Sequence, residues 1–338
     1  MSVLHHGGVP FGRMPKRYKA VITAAVLIIA VIAFVVADYR DFAERKQAMD
    51  EISERFSVHY IDVGQGDATL MRSPSGKFML IDSGPTANSN ILVKYLLNAG
   101  VEKLDYIIVT HPHDDHYGGV TELMEYFDVG ELILHKDFSE TYPYNRFIDM
   151  AKELGIGVRL TEKGERFVFD ECAEFEILSP AYTDKDDLNE SSLCFRVVYG
   201  DTAFMFTGDA GRDSEYRMLS SGKPLEADIL KAGHHGSSTS NVRSFVKAVN
   251  PEYAVVSCEE NNDYGHPHRE VVKLFNDMGI EMLVTHETGG AVFISDGETV
   301  VYAEDFLKMR IKKKIHFLNI SKAGFGWFKI ECSKLYPV

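Results

Sequence analysis

The sequence predicts an α/β domain in which helices cover sheets, preceded by a separate apolar helix. Short runs rich in β-branched and aromatic residues, such as YIIVT and YAVVS, recur between stretches with the spacing of amphipathic helices. This alternation is typical of layered α/β or α+β architectures. The chain has 338 residues, of which 45% are hydrophobic, so it is long enough to bury a sizeable core.

The alternation starts at Phe56 and continues through most of the chain. The predicted strands cover residues 56–61, 67–71, 77–81, 106–110, 131–134, 158–160, 167–169, 175–178, 193–199, 203–207, 227–231 and 253–257. The predicted helices cover residues 91–98, 120–126, 145–154, 213–220, 241–249 and 271–278. Residues 56–306 are therefore expected to form the main domain.

An apolar run near the N-terminus covers residues 20–37 and reads AVITAAVLIIAVIAFVVA. Roughly 18–20 such residues cross a bilayer core of about 30 Å. Basic residues precede the run and acidic residues follow it. We therefore expect one transmembrane anchor, with residues 1–19 in the cytoplasm and the main domain on the other side of the cell membrane. A cleaved signal peptide is the alternative, although its apolar region is usually only about 7–15 residues long.

Two further segments differ in composition from the main domain. Residues 38–55 are charged and lack proline and glycine, which predicts a juxtamembrane spacer. Residues 307–338 form a tail that is basic and aromatic. The whole chain has a net charge of −14, which argues against a tight, non-specific binder of nucleic acid. A catalytic site can still accept a phosphate if bound cations dominate its local charge.

The segment IIVTHPHDDHYGG contains the strongest chemical signal in the chain. A predicted strand ends at Thr110, and four residues with metal-binding side chains follow within six positions: His111, His113, Asp115 and His116. Imidazole nitrogens and carboxylate oxygens are ligands for zinc, manganese or iron. A solvated polar loop is the alternative interpretation of this segment by itself.

Several other motifs follow in order, and together they resemble the metallo-β-lactamase superfamily. The pattern HYIDVGQGDATL, LIDSG, FTGD, GHHGSSTS and YGHP is similar to the extracellular hydrolase domain of the ComEC/Rec2 competence proteins. The resemblance covers about residues 56–303. It implies an αββα four-layer sandwich and metal-dependent hydrolysis. The complete competence proteins also have a many-helix channel region, whereas this chain has one apolar run.

The resemblance implies a pair of divalent metal ions. His111 and His113 would hold the first ion, and Asp115 and His116 would hold the second. Asp209 would bridge the two, since one carboxylate can serve cations roughly 3.5–4 Å apart. Zinc is the expected metal, with manganese as the alternative.

The GHHGS motif supplies two candidates for the last ligand of the second ion. His234 is preferred, and His235 is then expected to face the substrate, but the sequence leaves the reverse assignment open. A histidine that completes the first ion's site in most of the superfamily is missing, and Asn189 stands in that region. The residues expected to take part in catalysis are Asp115, His235 and His266.

Other polar residues near the motifs are predicted to support the site. Asp82 is the leading candidate to orient a ligand histidine, while Asp62 and Asp67 either border the site or only form turns. Residues 237–239 are hydroxyl side chains that precede a helix predicted to start near Asn241, where a phosphate could be bound.

Three functions are consistent with these motifs. The first is a phosphodiesterase or nuclease of the competence-protein type, in which a metal-bound hydroxide attacks phosphorus. The second is a small-substrate or cell-wall phosphoesterase similar to phosphorylcholine esterases, which the acidic composition favours. The third is a non-catalytic envelope module, because fold alone does not establish function. The sequence identifies no protein partner.

Overall fold

The computed structural model describes Tyr18, Ile22 and residues 55–136, 142–180, 184 and 186–303. No helix within these ranges is both long and apolar enough to cross a membrane. The predicted anchor lies outside the described residues apart from Ile22, as do nearly all of the predicted spacer and the whole predicted tail.

Two mixed sheets form the centre of the domain. The eight strands of the first sheet are β1 (Phe56–Tyr60), β2 (Thr69–Arg72), β3 (Phe78–Ile81), β4 (Lys103–Ile108), β5 (Asp128–His135), β6 (Gly157–Thr161), β14 (Ala291–Ser295) and β15 (Val300–Tyr302). Their spatial order is β15-β14-β1-β2-β3-β4-β5-β6. Strands β3 to β6 are parallel, and the other pairs are antiparallel.

The second sheet has seven strands and the same change from antiparallel to parallel pairing. Its strands are β7 (Arg166–Phe169), β8 (Ala173–Ser179), β9 (Cys194–Tyr199), β10 (Thr202–Phe206), β11 (Ile229–Lys231), β12 (Tyr253–Val256) and β13 (Glu281–Val284). Their spatial order is β13-β12-β11-β10-β9-β8-β7, with β10 to β13 parallel.

Eight α-helices connect these strands. They are α1 (Ser89–Asn98), α2 (Asp114–Tyr117), α3 (Val120–Tyr126), α4 (Tyr142–Glu153), α5 (Arg212–Ser220), α6 (Arg243–Val249), α7 (Arg269–Met278) and α8 (Thr285–Thr288), among the described residues. The six longest were predicted within three residues at each end. The helix predicted from Asn241 in fact starts at Arg243, because Asn241 has a left-handed backbone with φ of 61°.

Side-chain alternation along the strands divides the core into three clusters. In the first sheet Leu80 and Leu132 pack with residues of α1, α3 and α4, whereas Met79 and Ile133 pack with side chains of the second sheet. The outer face of the second sheet packs against α5, α6 and α7. Successive side chains of a strand point to opposite faces. In each sheet one face packs against helices and the opposite face packs against the other sheet, so both faces are buried. The order of layers is therefore helix, sheet, sheet, helix.

The C-terminal part of the domain contains strands that the sequence did not predict. Strand β14 pairs with β1 and extends the first sheet, and β15 pairs with β14. The chain thus returns from the second sheet to the first, so that residues 291–302 belong to the same sheet as residues 56–81.

Candidate metal centre

The candidate site lies where parallel strands of both sheets end. His111 and Asp115 follow β4 of the first sheet, Asp209 follows β10 of the second, and His235 follows β11. Carboxyl ends of parallel strands share one edge of a sheet and are the usual position for ligands in α/β folds. The two sheets therefore deliver chemical groups to the site from opposite sides.

Four side chains form the compact centre of the site. One donor atom from each of Asp115, His116, Asp209 and His235 lies within 4.8 Å of the others. His235 Nε2 is 3.1 Å from Asp115 Oδ2 and 3.4 Å from Asp209 Oδ2. His116 Nε2 is 3.3 Å from Asp209 Oδ1. Two imidazoles and two carboxylates are a suitable donor set for a divalent transition metal.

Unpartnered buried atoms indicate that this centre fits a cation. His116 Nε2 and Asp209 Oδ1 are both buried, and neither has a hydrogen-bond partner in the structure. Leaving such atoms unsatisfied is costly, so each one requires an explanation. A divalent ion held between them would satisfy both. The residues present therefore fit the metal that the sequence predicted.

Asp82 fixes the orientation of His116. One oxygen of Asp82 accepts a 2.8 Å hydrogen bond from the Thr110 backbone N–H. The other oxygen lies 2.8 Å from the Thr110 hydroxyl and 2.8 Å from His116 Nδ1. With Nδ1 held in this way, Nε2 faces the site. A carboxylate on the far nitrogen of a ligand histidine fixes both its ring and its tautomer, so Asp82 occupies the predicted orienting position.

His111 lies beside this group, with its ring centroid 4.1 Å from that of His116 and 4.7 Å from that of His113. His111 is fully buried, and its Nε2 is 3.8 Å from Asp209 Oδ2 and 2.9 Å from His113 Nδ1. The Asn189 side-chain oxygen is another buried atom without a partner. The segment that carries Asn189 runs beside the site, since Leu193 N–H donates to the Thr110 carbonyl. The structure thus places His111 next to both His113 and Asp209. That these residues hold a first ion stays a prediction.

An unusual turn determines which histidine of the GHHG motif enters the centre. His234 and His235 are consecutive residues with left-handed backbones, with φ of 49° and 52°. His235 is buried and its Nε2 joins the compact group, whereas His234 is a quarter exposed and its Nε2 lies 3.7 Å from Asp209. This geometry favours His235, the alternative that the sequence left open. The preference for His234 stays a prediction without support from the positions of the rings.

The side chain of Asn241 holds this turn closed. Its Oδ1 accepts from Gly233 N–H at 3.0 Å, and its Nδ2 donates to the Gly233 and Ser237 carbonyls. Glu215, which is also buried, in turn accepts hydrogen bonds from the backbone N–H groups of Asn241 and Val242. Left-handed residues other than glycine persist only where the surroundings enforce them. Asn241 and Glu215 supply that enforcement.

The ionisation of the centre reflects an excess of negative charge. Burial alone raises the pKa of Asp115, but neighbouring His116 and His235 outweigh it and lower this pKa to about 2. The same two imidazoles hold the pKa of Asp209 well below its usual range despite burial. Burial would lower the pKa values of His116 and His235, yet the surrounding carboxylates raise both well above normal. The centre therefore attracts positive charge.

His266 lies beside the site without joining the compact group. Its ring centroid is 5.7 Å from that of His234 and 6.1 Å from that of His235. Tyr264 stacks on its ring at 5.5 Å and is 68% exposed. Burial, with the nearby histidines, lowers the pKa of His266 to about 4. His266 is therefore a neutral imidazole near neutral pH, at the entrance to the site.

The remaining predicted residues have local structural roles. Asp62 accepts from Gly64 N–H within its own turn. The Ser238 N–H donates to His268 Nδ1, and the Thr239 hydroxyl lies 3.1 Å from His234 Nδ1. Since α6 has only seven residues and begins beyond Asn241, residues 237–239 form a bridge between histidines and not the start of a helix.

Sequence reasoning missed two functional neighbours of the site. Ser192 accepts the Asp209 N–H through its hydroxyl, and Lys231 places a buried ammonium group 2.8 Å from Asp67. Ser192 follows no recognisable pattern. Lys231 could have been noticed, because it is a lysine in the otherwise apolar end of ADILKAG.

Comparisons with known proteins agree with this geometry. The family model of the metallo-beta-lactamase superfamily matches residues 61–259. ComE operon protein 3 of Bacillus subtilis is 29% identical over 70% of this chain and 33% of its own length. Competence protein ComA of Neisseria gonorrhoeae is 32% identical over 69% of this chain and 31% of its own length. The chain thus spans about a third of the length of these relatives.

The chain also matches solved structures at low sequence identity. Zn(2+)-bound PqqB from Methylobacterium extorquens is 10% identical, with a TM-score of 0.49 over 68% of this chain and 97% of that one.

Because buried Glu215 supports the GHHG turn, we predict that the free energy of unfolding depends on pH. Burial raises the pKa of Glu215 from its ordinary 4.5 to about 8, although two backbone N–H groups oppose the shift. The folded state thus binds this proton more tightly than the unfolded chain, so the contribution of Glu215 is present at low pH. It is lost as the pH rises from about 4.5 to about 8.

Denaturant titrations across that pH range give the slope of the free energy of unfolding against pH. We expect Glu215→Gln to make this slope less negative by at most about 1.4 kcal/mol per pH unit, because the variant lacks the titrating carboxyl group. The exposed Glu270→Gln is the matched control and should keep the wild-type slope. An unchanged slope in Glu215→Gln would contradict the assignment.

Proposed function

The chain belongs to the metallo-beta-lactamase superfamily, and we propose that it is a metal-dependent phosphodiesterase related in activity to competence proteins. The observation that carries this proposal is the compact group of Asp115, His116, Asp209 and His235. The unpartnered donor atoms in that group support a bound divalent cation. The names of the two competence relatives support a substrate handled during DNA uptake.

We assign the ligands of two ions from these positions. His111 and His113 would hold one ion, and Asp115, His116 and His235 would hold the other. Asp209 would bridge them, because it lies near a proposed ligand of each ion: its Oδ1 is 3.3 Å from His116 Nε2, and its Oδ2 is 3.8 Å from His111 Nε2. Imidazoles dominate this set, which favours zinc, with manganese as the alternative.

The protein's own groups would then define the reaction geometry. A bound cation supplies Lewis acidity and lowers the pKa of a coordinated water from 15.7 to about 7. Asp209 fixes the separation of the two halves of the site, and Asp82 fixes the ring of His116. His234 is a quarter exposed and would face the substrate, where its ring could donate to a phosphate oxygen. Since His266 is neutral near neutral pH, it suits hydrogen bonding to the departing oxygen better than service as a strong acid.

A second candidate function is supported by the charge next to the site. A cavity of about 480 Å³ is lined by Asp114, Asp115, Glu259, Glu260 and Asp263, together with Tyr264. A long polyanion passing this cavity would be repelled by its acidic side chains. The cavity therefore favours a small phosphoester, such as the substrate of a cell-wall phosphoesterase. The competence relatives favour the nucleic-acid substrate, which we therefore place first.

We also propose that residues 20–37 anchor the chain in the cell membrane and that the catalytic domain lies outside the cytoplasm. The support is the basic flank before the apolar run and the acidic flank after it.

The bridging role predicts a severe effect of Asp209→Ala. Loss of this carboxylate leaves two cations without a common anion and without a fixed separation. Turnover of a phosphodiester by the full chain should fall by more than about 100-fold, beyond the effect expected for a residue that only supports a ligand. Asp201→Ala, at the opposite end of β10, should retain turnover. Near-native turnover by Asp209→Ala with full metal content, measured by elemental analysis, would remove Asp209 from the mechanism.

Substrate preference separates the candidate functions. We expect metal-loaded full-length protein to cleave single-stranded and double-stranded DNA more efficiently than a phosphorylcholine ester or bis-p-nitrophenyl phosphate, judged by kcat/KM. Preference for the small esters would favour the second candidate. No turnover of any substrate, with two ions bound per chain, would favour a non-catalytic module.

The proposed membrane orientation predicts on which side of the membrane a C-terminal reporter is active. Alkaline phosphatase fused after Val338 should be active in intact bacteria, because it folds only outside the cytoplasm. A green fluorescent protein fusion at the same residue is the paired control and should be dark. Fluorescence with an inactive phosphatase would contradict the proposed orientation.

A further inference from the structure

Lys231 is a lysine whose whole side chain is buried. It ends β11, and its ammonium group lies 2.8 Å from Asp67 Oδ2 and donates to the Ala232 carbonyl at 3.1 Å. The side chains of Lys231 and Asp67 are 2% and 6% exposed. Burying two charges is costly even when they are paired, and apolar residues often serve stability as well. The pair therefore calls for an explanation other than stability.

Asp67 contacts both Asp115 and His235, whose side chains lie close together in the candidate centre. Its backbone N–H donates to the Asp115 carbonyl at 3.0 Å. Its Oδ1 lies 3.2 Å from His235 Nδ1, which also contacts the Ser257 carbonyl at 3.0 Å. On the other side of the same groups, His235 Nε2 meets Asp115 Oδ2 at 3.1 Å.

The two members of the pair come from different sheets. Asp67 lies in the loop between β1 and β2 of the first sheet, whereas Lys231 belongs to the second sheet. The loop approaches Asp115 so closely that a Cβ on Gly66, which has φ of 154°, would lie 2.5 Å from the Asp115 carbonyl oxygen. The pair thus ties the loop between β1 and β2, which contacts the backbone of Asp115 in α2, to the strand that leads to His235.

We propose that the Asp67–Lys231 ion pair is a positioning device, which sets the place of the His235 ring relative to Asp115 and so determines affinity for one metal ion. This inference rests on the proposed metal centre. Lys231 holds the Asp67 carboxylate, and Asp67 in turn holds the Asp115 backbone and faces the far side of the His235 ring. Neither residue belongs to the compact group of Asp115, His116, Asp209 and His235.

The test separates positioning from stability by removing the Asp67 charge alone and then both charges together. Asp67→Asn is nearly isosteric, and Asp67→Asn combined with Lys231→Met leaves no unpaired buried charge. Each full-length variant is measured in two ways: denaturant unfolding without metal, and titration with Co²⁺ followed by its visible absorption spectrum. The exposed pair Lys273 and Asp277, which lie 2.7 Å apart, gives the matched control Asp277→Asn/Lys273→Met.

We expect both Asp67 variants to fold and to bind one Co²⁺ about 10–100-fold more weakly than wild type, as is typical when a residue that orients a ligand is lost. Their Co²⁺ spectra should also change, because the coordination geometry changes. The control should match wild type in both measurements.

Three results would overturn the proposal or its premise. Wild-type affinity and spectrum in a folded Asp67 variant would show that the pair does not position the ligand. Failure of both variants to fold would show that the fold itself requires the pair. Absence of Co²⁺ binding by the wild-type protein would instead refute the proposed metal centre.

Discussion

The concentration of buried and half-buried carboxylates around buried imidazoles is the constraint on which the rest of the structure depends. Asp82, Asp115 and Asp209 contact imidazoles rather than lysine or arginine side chains. At the low effective dielectric of such a site, like charges repel strongly unless positive charge is near. The two sheets hold these groups together against that repulsion. They can do so because the strand ends that carry the groups meet at one edge of the two sheets.

This constraint also accounts for the strained turn. His235 can reach both Asp115 and Asp209 only because the chain turns back immediately after β11. Two consecutive left-handed residues make that turn, at a cost of about 1–3 kcal/mol each. The hydrogen bonds of Asn241 and Glu215 offset part of this cost. Strain next to a candidate ligand is consistent with the observation that such outliers cluster at functional sites.

The sequence could predict the layers, six helices and the proximity of Asp115, His116 and Asp209, since strand alternation and ordered motifs are local signals. It could not decide between His234 and His235, because that choice depends on φ values imposed by Asn241 six residues further on. Nor could it place β14 beside β1, a pairing of residues more than 200 positions apart that depends on the register of the whole sheet. Lys231 was overlooked because its partner, Asp67, lies in the other half of the chain.

Charge within the centre connects metal occupancy with substrate binding. Lys231 neutralises Asp67, so three carboxylates remain to be compensated: Asp82, Asp115 and Asp209. One divalent ion would leave this group with a net negative charge, which repels a phosphate in a chain that already carries −14. Two divalent ions would leave it with one positive charge. Because a low-dielectric cleft focuses such a local field, an anionic substrate of the proposed kind would be attracted to this acidic protein only with both proposed ions bound.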